Sequence, residues 1–145
     1  MNFIDAVKTC YTKKYLKLEG RSSRPEFWYF VLFYYAVIVL IILVDVYFLN
    51  VSTNEFSADP DAFSELGIYL IFGFAIASLP PYIGVTVRRL HDINQSGLWV
   101  GAALGLAFVS VVLPFAGMAG SIINIIILIM CIQSGSKKSN KFGKR

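Results

Sequence analysis

The stretch RRLHDINQSGLW at residues 88–99 gathers a double arginine, the chain's one histidine, an aspartate and a tryptophan. A second stretch, GRSSRPEFW at residues 20–28, carries Arg21, Arg24, Glu26 and Trp28. Such residues could do three kinds of chemistry. Guanidinium forks hold phosphates or carboxylates through paired N–H donors. An imidazole whose ordinary pKa is about 6.5 can move a proton near neutrality. Arginines and carboxylates can also simply pair with each other. If the second helix runs on past the membrane, Arg88 and Asp92 stand one turn apart and can pair, whereas His91 and Asp92 point ~100° apart, which argues against a His–Asp dyad within the motif. No nucleophile stands at a telling spacing and no Gly-rich phosphate loop occurs. His91, Cys10 and Cys131 do not make a metal-ligand pattern. The sequence therefore nominates no catalytic residue, no metal and no cofactor.

The elements that must position these residues belong to a membrane. The 145 residues are 57% hydrophobic and 15% charged, against about 45–50% and about 25% in an average soluble domain. Mean hydropathy is +0.65. The apolar residues come in runs: Phe27–Leu49 interrupted by Asp45, Leu66–Val87 without a charge, and Ile93–Ser136 without a charge. A helix needs roughly 20 apolar residues to cross ~30 Å of hydrocarbon. The third run, at about 66 Å as one helix, must fold back, and Pro114 with Gly117 and Gly120 marks the expected turn. The expected fold is all-α, a single membrane domain with four transmembrane helices near 27–49, 66–87, 97–113 and 115–132. A re-entrant hairpin is the rival reading of the last two. Either version returns the chain to the side it left.

Charge orients the chain. All 13 basic residues fall in three segments on one expected side, at 8–24, 88–89 and 137–145. The loop between the first two spans has none, and carries Glu55, Asp59, Asp61 and Glu65. The positive-inside rule places both termini and the 88–96 loop in the cytoplasm. The first apolar run is too long, and starts too late, for a cleaved signal peptide. On that inner side Cys10 and Cys131 are expected to stay reduced.

Phe3, Ile4, Val7, Cys10 and Tyr11 recur at helical spacing, so residues 1–19 are expected to contain a short amphipathic helix at the inner interface. Pro25 suits the first turn of the first span, Ser23 or Arg24 its cap, and Glu26 its dipole. Pro80 and Pro81 break the second span by leaving the carbonyls of Ile76 and Ala77 without helical donors. Asp45, the sole acidic residue within a span, reads as an outer-end anchor. Gly97, Gly101 and Gly105 form a small-residue face on the third span, suited to close packing within the chain or against a second copy. The basic tail at 134–145, with GSKKSNKFGKR at 135–145, is expected to be disordered or held loosely on anionic headgroups.

The two polar stretches resemble a known family. Leu18, Gly20, Arg21, Arg24, Glu26, Phe27 and Trp28, followed by Arg88, Arg89, Leu90, His91, Asp92, Ser96, Gly97 and Trp99, are similar to the paired motifs of the bacterial inner-membrane family catalogued as domain of unknown function 805. Leu18 and Leu98 stand where that family favours aromatic residues. The resemblance covers nearly the whole chain and implies a small four-helix protein of the bacterial inner (plasma) membrane. It implies no activity, substrate or cofactor.

Three function classes follow. In the first, the inner-face cluster of Arg21, Arg24, Glu26, Arg88, Arg89, His91 and Asp92 is structural, with Arg21 or Arg24 on Asp92 and Arg88 or Arg89 on Glu26. Its sharper form binds an anionic lipid or phosphorylated ligand between Trp28 and Trp99. The second is a small transporter or channel built on the Pro80–Pro81 break. The third, carried least far by the residues, is an interfacial lipid-modifying enzyme using His91 as base. The expected partners are membrane lipids, preferentially anionic, with a homo-oligomer left open; nucleic acid is not expected.

Overall fold

The structure, a computed structural model, describes residues 1–49, 64–136 and 138–143. The acidic positions Glu55, Asp59 and Asp61, and the basic positions Lys137, Lys144 and Arg145, lie outside the described residues. The chain forms α1 (Phe3–Lys8) with a wider π-helical turn (Thr9–Lys13), α2 (Arg24–Val44) continued by a π-helical turn (Asp45–Leu49), α3 (Glu65–Asp92), α4 (Leu98–Val109) and α5 (Pro114–Ile132). Among the described residues no strand is present. Three helices are long and apolar enough to cross a membrane: Arg24–Phe48, Glu65–Asp92 and Pro114–Ile132.

Local chemistry sets the helix ends. Ser23 caps α2 by accepting the Glu26 N–H at 3.3 Å, with Pro25 and Glu26 in the first turn. Ser64 caps α3 by accepting the Gly67 N–H at 3.0 Å. Asp45 is buried at the far end of α2, where it accepts the Ser64 N–H at 3.1 Å and the Ser64 hydroxyl. Its carboxylate thus faces the positive end of the α3 dipole, and Gly67 leaves no room there for a Cβ. The outer-end anchor expected of Asp45 is therefore a tie between two helices.

α2 and α3 run antiparallel along their length. Phe30 and Tyr34 meet Tyr82 at ring separations of 6.4 and 5.3 Å, and Tyr34 stacks on Phe74 at 5.5 Å. At the opposite end from Asp45, the Ser22 N–H donates to the Arg88 carbonyl at 3.0 Å. A 28-residue α3 is about 42 Å long, well beyond the ~30 Å of hydrocarbon. At its C-terminal end Gly84–Leu90 and Asp92 are buried by protein.

α3 stops by a Schellman motif. Asn94 takes a left-handed φ of 62°, the Gln95 N–H donates to the Leu90 carbonyl at 2.9 Å and the Asn94 N–H to the His91 carbonyl at 3.0 Å. Gly97 follows because a Cβ there would lie 2.8 Å from the Val87 side chain.

Several expectations are corrected. Gly117 and Gly120 do not form the last turn: Pro114 opens α5 and both glycines lie inside it. They are the small residues of the α4–α5 contact, since a Cβ at either would lie 3.4 Å from Ser110 or Leu106. Of the expected glycine face, Gly97 packs, while Gly101 and Gly105 meet nothing within 4 Å. α4, with 12 residues, is about 18 Å long, shorter than the span expected at 97–113. α1 is only 6 residues long, and its buried positions are Ala6 and, beyond it, Cys10, whereas Phe3 and Ile4 are exposed. α3 stays helical through Pro80 and Pro81. The Ala77 carbonyl freed by Pro81 accepts the Tyr15 hydroxyl at 2.8 Å, and next to it the Tyr11 hydroxyl and buried Ser78 bond at 2.6 Å. The N-terminal segment therefore docks on the proline break.

Candidate functional site

The polar motifs meet at the C-terminal end of α3. Cap geometry places Glu26 in the first turn of α2, and the helical repeat puts Arg88, Arg89 and Asp92 within the last two turns of α3. Glu26 accepts Lys14 Nζ at 3.0 Å and Arg88 Nη2 at 3.4 Å. Asp92 accepts Arg21 Nε at 2.8 Å on one oxygen and Arg89 Nη1 at 2.5 Å on the other. The side chains of Arg21, Arg88, Arg89 and Asp92 are at most 1% exposed. The Arg88–Asp92 pairing that the spacing allows gives way to Arg89–Asp92, because Arg88 turns toward α2 and Arg89 toward the tail.

In this layer four cations, Lys14, Arg21, Arg88 and Arg89, meet two carboxylates. Backbone carbonyls take up most of the remaining donors, while Arg88 Nε and the Ser22 hydroxyl are buried without a hydrogen-bond partner among the described residues. Arg88 donates to the Lys17 carbonyl, which comes close because Gly84 has no side chain: a Cβ there would lie 3.2 Å from that oxygen. Arg89 donates to the Cys131 carbonyl at 3.1 Å and to the Gln133 carbonyl. These are groups at the C-terminal end of α5, where orphan carbonyls and the helix dipole both favour a cation. Arg21 donates to the Ser136 carbonyl and to the Lys138 carbonyl at 3.0 Å. Buried charges are tolerable only when paired and hydrogen-bonded in this way. Burial and the Glu26 carboxylate push the neighbouring Cys10 thiol up to about 11.

His91 has no part in a dyad. Its Nδ1 donates to the Gly20 carbonyl at 3.2 Å, which in the neutral ring leaves the proton on Nδ1 and Nε2 bare. Gly20 adopts φ +87°, a conformation that favours glycine. The imidazole stacks on Phe142 at 3.8 Å, and Asn140 Nδ2 donates to the His91 carbonyl at 2.8 Å. The tail, expected to be loose, is thus docked over its described part.

The remaining expected site residues lie apart. Arg24 is exposed and donates to the Gln133 carbonyl at 3.2 Å. Trp28 and Trp99 are both exposed, Trp28 packing edge-on to Phe27, and among the described residues neither makes a polar contact with the arginines. Sequence reading missed Lys14, the Cys131, Gln133 and Ser136 carbonyls, and Gly135, where a Cβ would overlap the Asp92 carboxylate.

The sequence matches a family model described as "Protein of unknown function (DUF805)" over residues 15–144. The chain belongs to this family. Two similar relatives are inner membrane proteins of Escherichia coli strain K12. YhaI is 30% identical over 131 residues, covering 90% of this chain and 86% of the relative. YhaH is 28% identical over 131 residues, covering 90% and 88%. No solved structure matches. The DUF805 match takes in both polar motifs and begins at Tyr15, the donor to the proline break.

Proposed function

We propose that this inner-membrane protein has four membrane helices with both termini in the cytoplasm, and that its arginine–carboxylate layer is a clasp. The clasp ties the N-terminal segment, the α2–α3 hairpin and the tail at the inner face. The observation that carries this reading is Asp92: one buried carboxylate joins Arg21 of the N-terminal segment to Arg89 of α3, and both arginines continue to carbonyls beyond α5. Guanidiniums so engaged offer no open fork to a phosphate. Lipid phosphates are left to the exposed cations around the layer, Lys13, Lys17, Arg24, Lys138 and Lys141, each contributing about 1 kcal/mol near an anionic surface.

The orientation rests on charge and on shape. The basic segments around 14–24, 88–89 and 138–141 meet at one end, and Asp45 and Ser64 lie at the other. α4 and α5 share a tip, Val111–Leu113 and Phe115, that is apolar and exposed. In this reading the tip reaches the outer boundary of the hydrocarbon.

Limited proteolysis of membranes carrying Asp92→Asn tests the clasp. Release of the N-terminal segment and the tail together is the expected result. Release of neither, with the helices intact, refutes it.

A further inference from the structure

Between the two hairpins lies a cavity of about 530 Å³, lined by residues of α2, α3, α4 and α5. Ligand sites for small molecules occupy roughly 300–1,000 Å³ and combine apolar walls with a few placed polar groups. The wall here is mostly apolar, and its polar members are Tyr34, Tyr35, Tyr82, Thr86, Ser121 and Asn124. It includes no Asp, Glu, Lys, Arg or His.

Position narrows the occupant. Tyr82 and Asn124 each stand two turns before Arg89 and Cys131, whose contact marks the clasp. That puts them about 10 Å deeper than the arginines, beyond the reach of an ionic headgroup seated there. Phe27, Val100 and Ile127 close the cavity toward the clasp, being buried in the core. Tyr35, Leu79, Leu104 and Ile125 on its lining are each at least 40% exposed, so it opens sideways, at the depth of lipid tails.

Asn124 supplies the chemical pointer. It interrupts the run SIINIIILIM, an exposed amide among isoleucines. Its Nδ2 donates to the Gly120 carbonyl at 3.0 Å, and among the described residues its amide oxygen has no partner. A polar group left unpaired in hydrocarbon costs several kcal/mol, so an amide at this depth is retained against a standing cost unless something bonds to it. Ser121, one turn from Gly117, spends its proton on that carbonyl at 2.9 Å and keeps acceptor capacity.

We propose that this cavity binds a neutral membrane lipid whose hydroxyl or carbonyl head bonds to Asn124 and the tyrosine hydroxyls while its apolar chain leaves through the lateral opening. The absence of charged lining residues excludes an ionic head, and the mixed donors and acceptors suit a head that is uncharged yet polar. Two membrane pools carry this chemistry, diacylglycerols with a free hydroxyl and ester carbonyls, and isoprenoid quinones with ring carbonyls.

The test uses the full chain reconstituted in nanodiscs, titrated separately with dioleoylglycerol and with a short-chain ubiquinone, binding being read by native mass spectrometry. Wild type is expected to bind one of the two probes at one per chain, which identifies the pool. Asn124→Leu is expected to weaken that binding at least tenfold and Tyr82→Phe several-fold. Asn124→Leu is also expected to unfold at or above the wild-type temperature, because it removes an unpaired amide. Failure of both probes to bind wild type overturns the proposal, as does equal binding by wild type and Asn124→Leu. Loss of a dimer in Asn124→Leu without any change in lipid binding also overturns it, and assigns the amide to a second copy.

Discussion

Arg89 and Asp92, one turn apart at the C-terminal end of α3, form a 2.5 Å ion pair in which neither side chain is exposed. The pair is more than a local i,i+3 contact. Arg89 continues to the Cys131 and Gln133 carbonyls and Asp92 to Arg21, so one helical turn connects the C-terminal end of α5 with the segment before α2. Such a node makes this end of the protein cooperative, and the first consequence concerns its arginine.

Arg89→Ala leaves Asp92 with one guanidinium fewer and strips the end of α5 of its cation. Breaking a buried pair from one side costs about 3–5 kcal/mol, and a loss of that size is expected in thermal unfolding in detergent. Arg89→Lys is expected to recover less than half, because one ammonium cannot reproduce donors at Nε, Nη1 and Nη2 aimed at separate acceptors. Full recovery by lysine would show that charge alone matters.

Glycine substitutions separate packed positions from open ones. Gly135→Ala drives a methyl into the Asp92 carboxylate and is expected to cost about 1–3 kcal/mol, with the tail becoming protease-sensitive. Gly101→Ala and Gly105→Ala meet open space and are expected to be neutral or to stabilise α4 by about 0.5–1 kcal/mol. A destabilised Gly101→Ala would place another surface against α4.

How much of this was legible follows from the kind of signal each residue gives. Runs such as Leu66–Val87, and caps such as Ser23 before Pro25, report local physics and were readable directly. The meeting of the motifs was readable from the shared side of Arg21, Arg24, Arg88 and Arg89, and Arg21–Asp92 and Arg88–Glu26 were among the expected pairs. Which neighbour Asp92 takes within α3 was not, because i,i+3 and i,i+4 partners are equally near on a helix and packing against α5 chose Arg89. Backbone acceptors such as Gln133 O carry no side-chain signature. Gly117 and Gly120 misled because a glycine that ends a helix and one that lets two helices approach look alike in sequence.

The proline break gives a cycle. Tyr15→Phe removes the donor to the Ala77 carbonyl and is expected to cost about 1 kcal/mol. In a Pro81→Ala background that carbonyl regains a helical N–H, so the effect of Tyr15→Phe is expected to fall below half. Equal effects in both backgrounds would uncouple Tyr15 from the break.

Cys10 reports undocking of the N-terminal segment. Its thiol is raised from 9.0 to about 11, mainly by burial, so the docked state favours the neutral form. That preference is fully present below about pH 9 and is lost as the pH rises toward about 11. In a Cys131→Ser variant, maleimide labelling of Cys10 is expected to be slow at neutral pH and to accelerate only above pH 9. Tyr15→Phe should shift that onset downward. Fast labelling at neutral pH in the Cys131→Ser variant would contradict the buried docking.

The α4–α5 tip tests the span count. Val112→Cys in intact cells is expected to react with a small maleimide that does not cross the inner membrane, and Lys141→Cys only after that membrane is opened. An unreactive Val112→Cys under both conditions would favour a re-entrant hairpin.

Native mass spectrometry of the purified protein, comparing wild type with Arg21→Ala, Arg88→Ala and Arg89→Ala, tests the clasp most directly. If the layer is satisfied from within, all four proteins retain the same anionic lipids in the same proportion and the variants differ only in unfolding at lower temperature. A phosphate-bearing molecule held by wild type and lost from these variants while their stability is unchanged would contradict the clasp and make the layer a binding site.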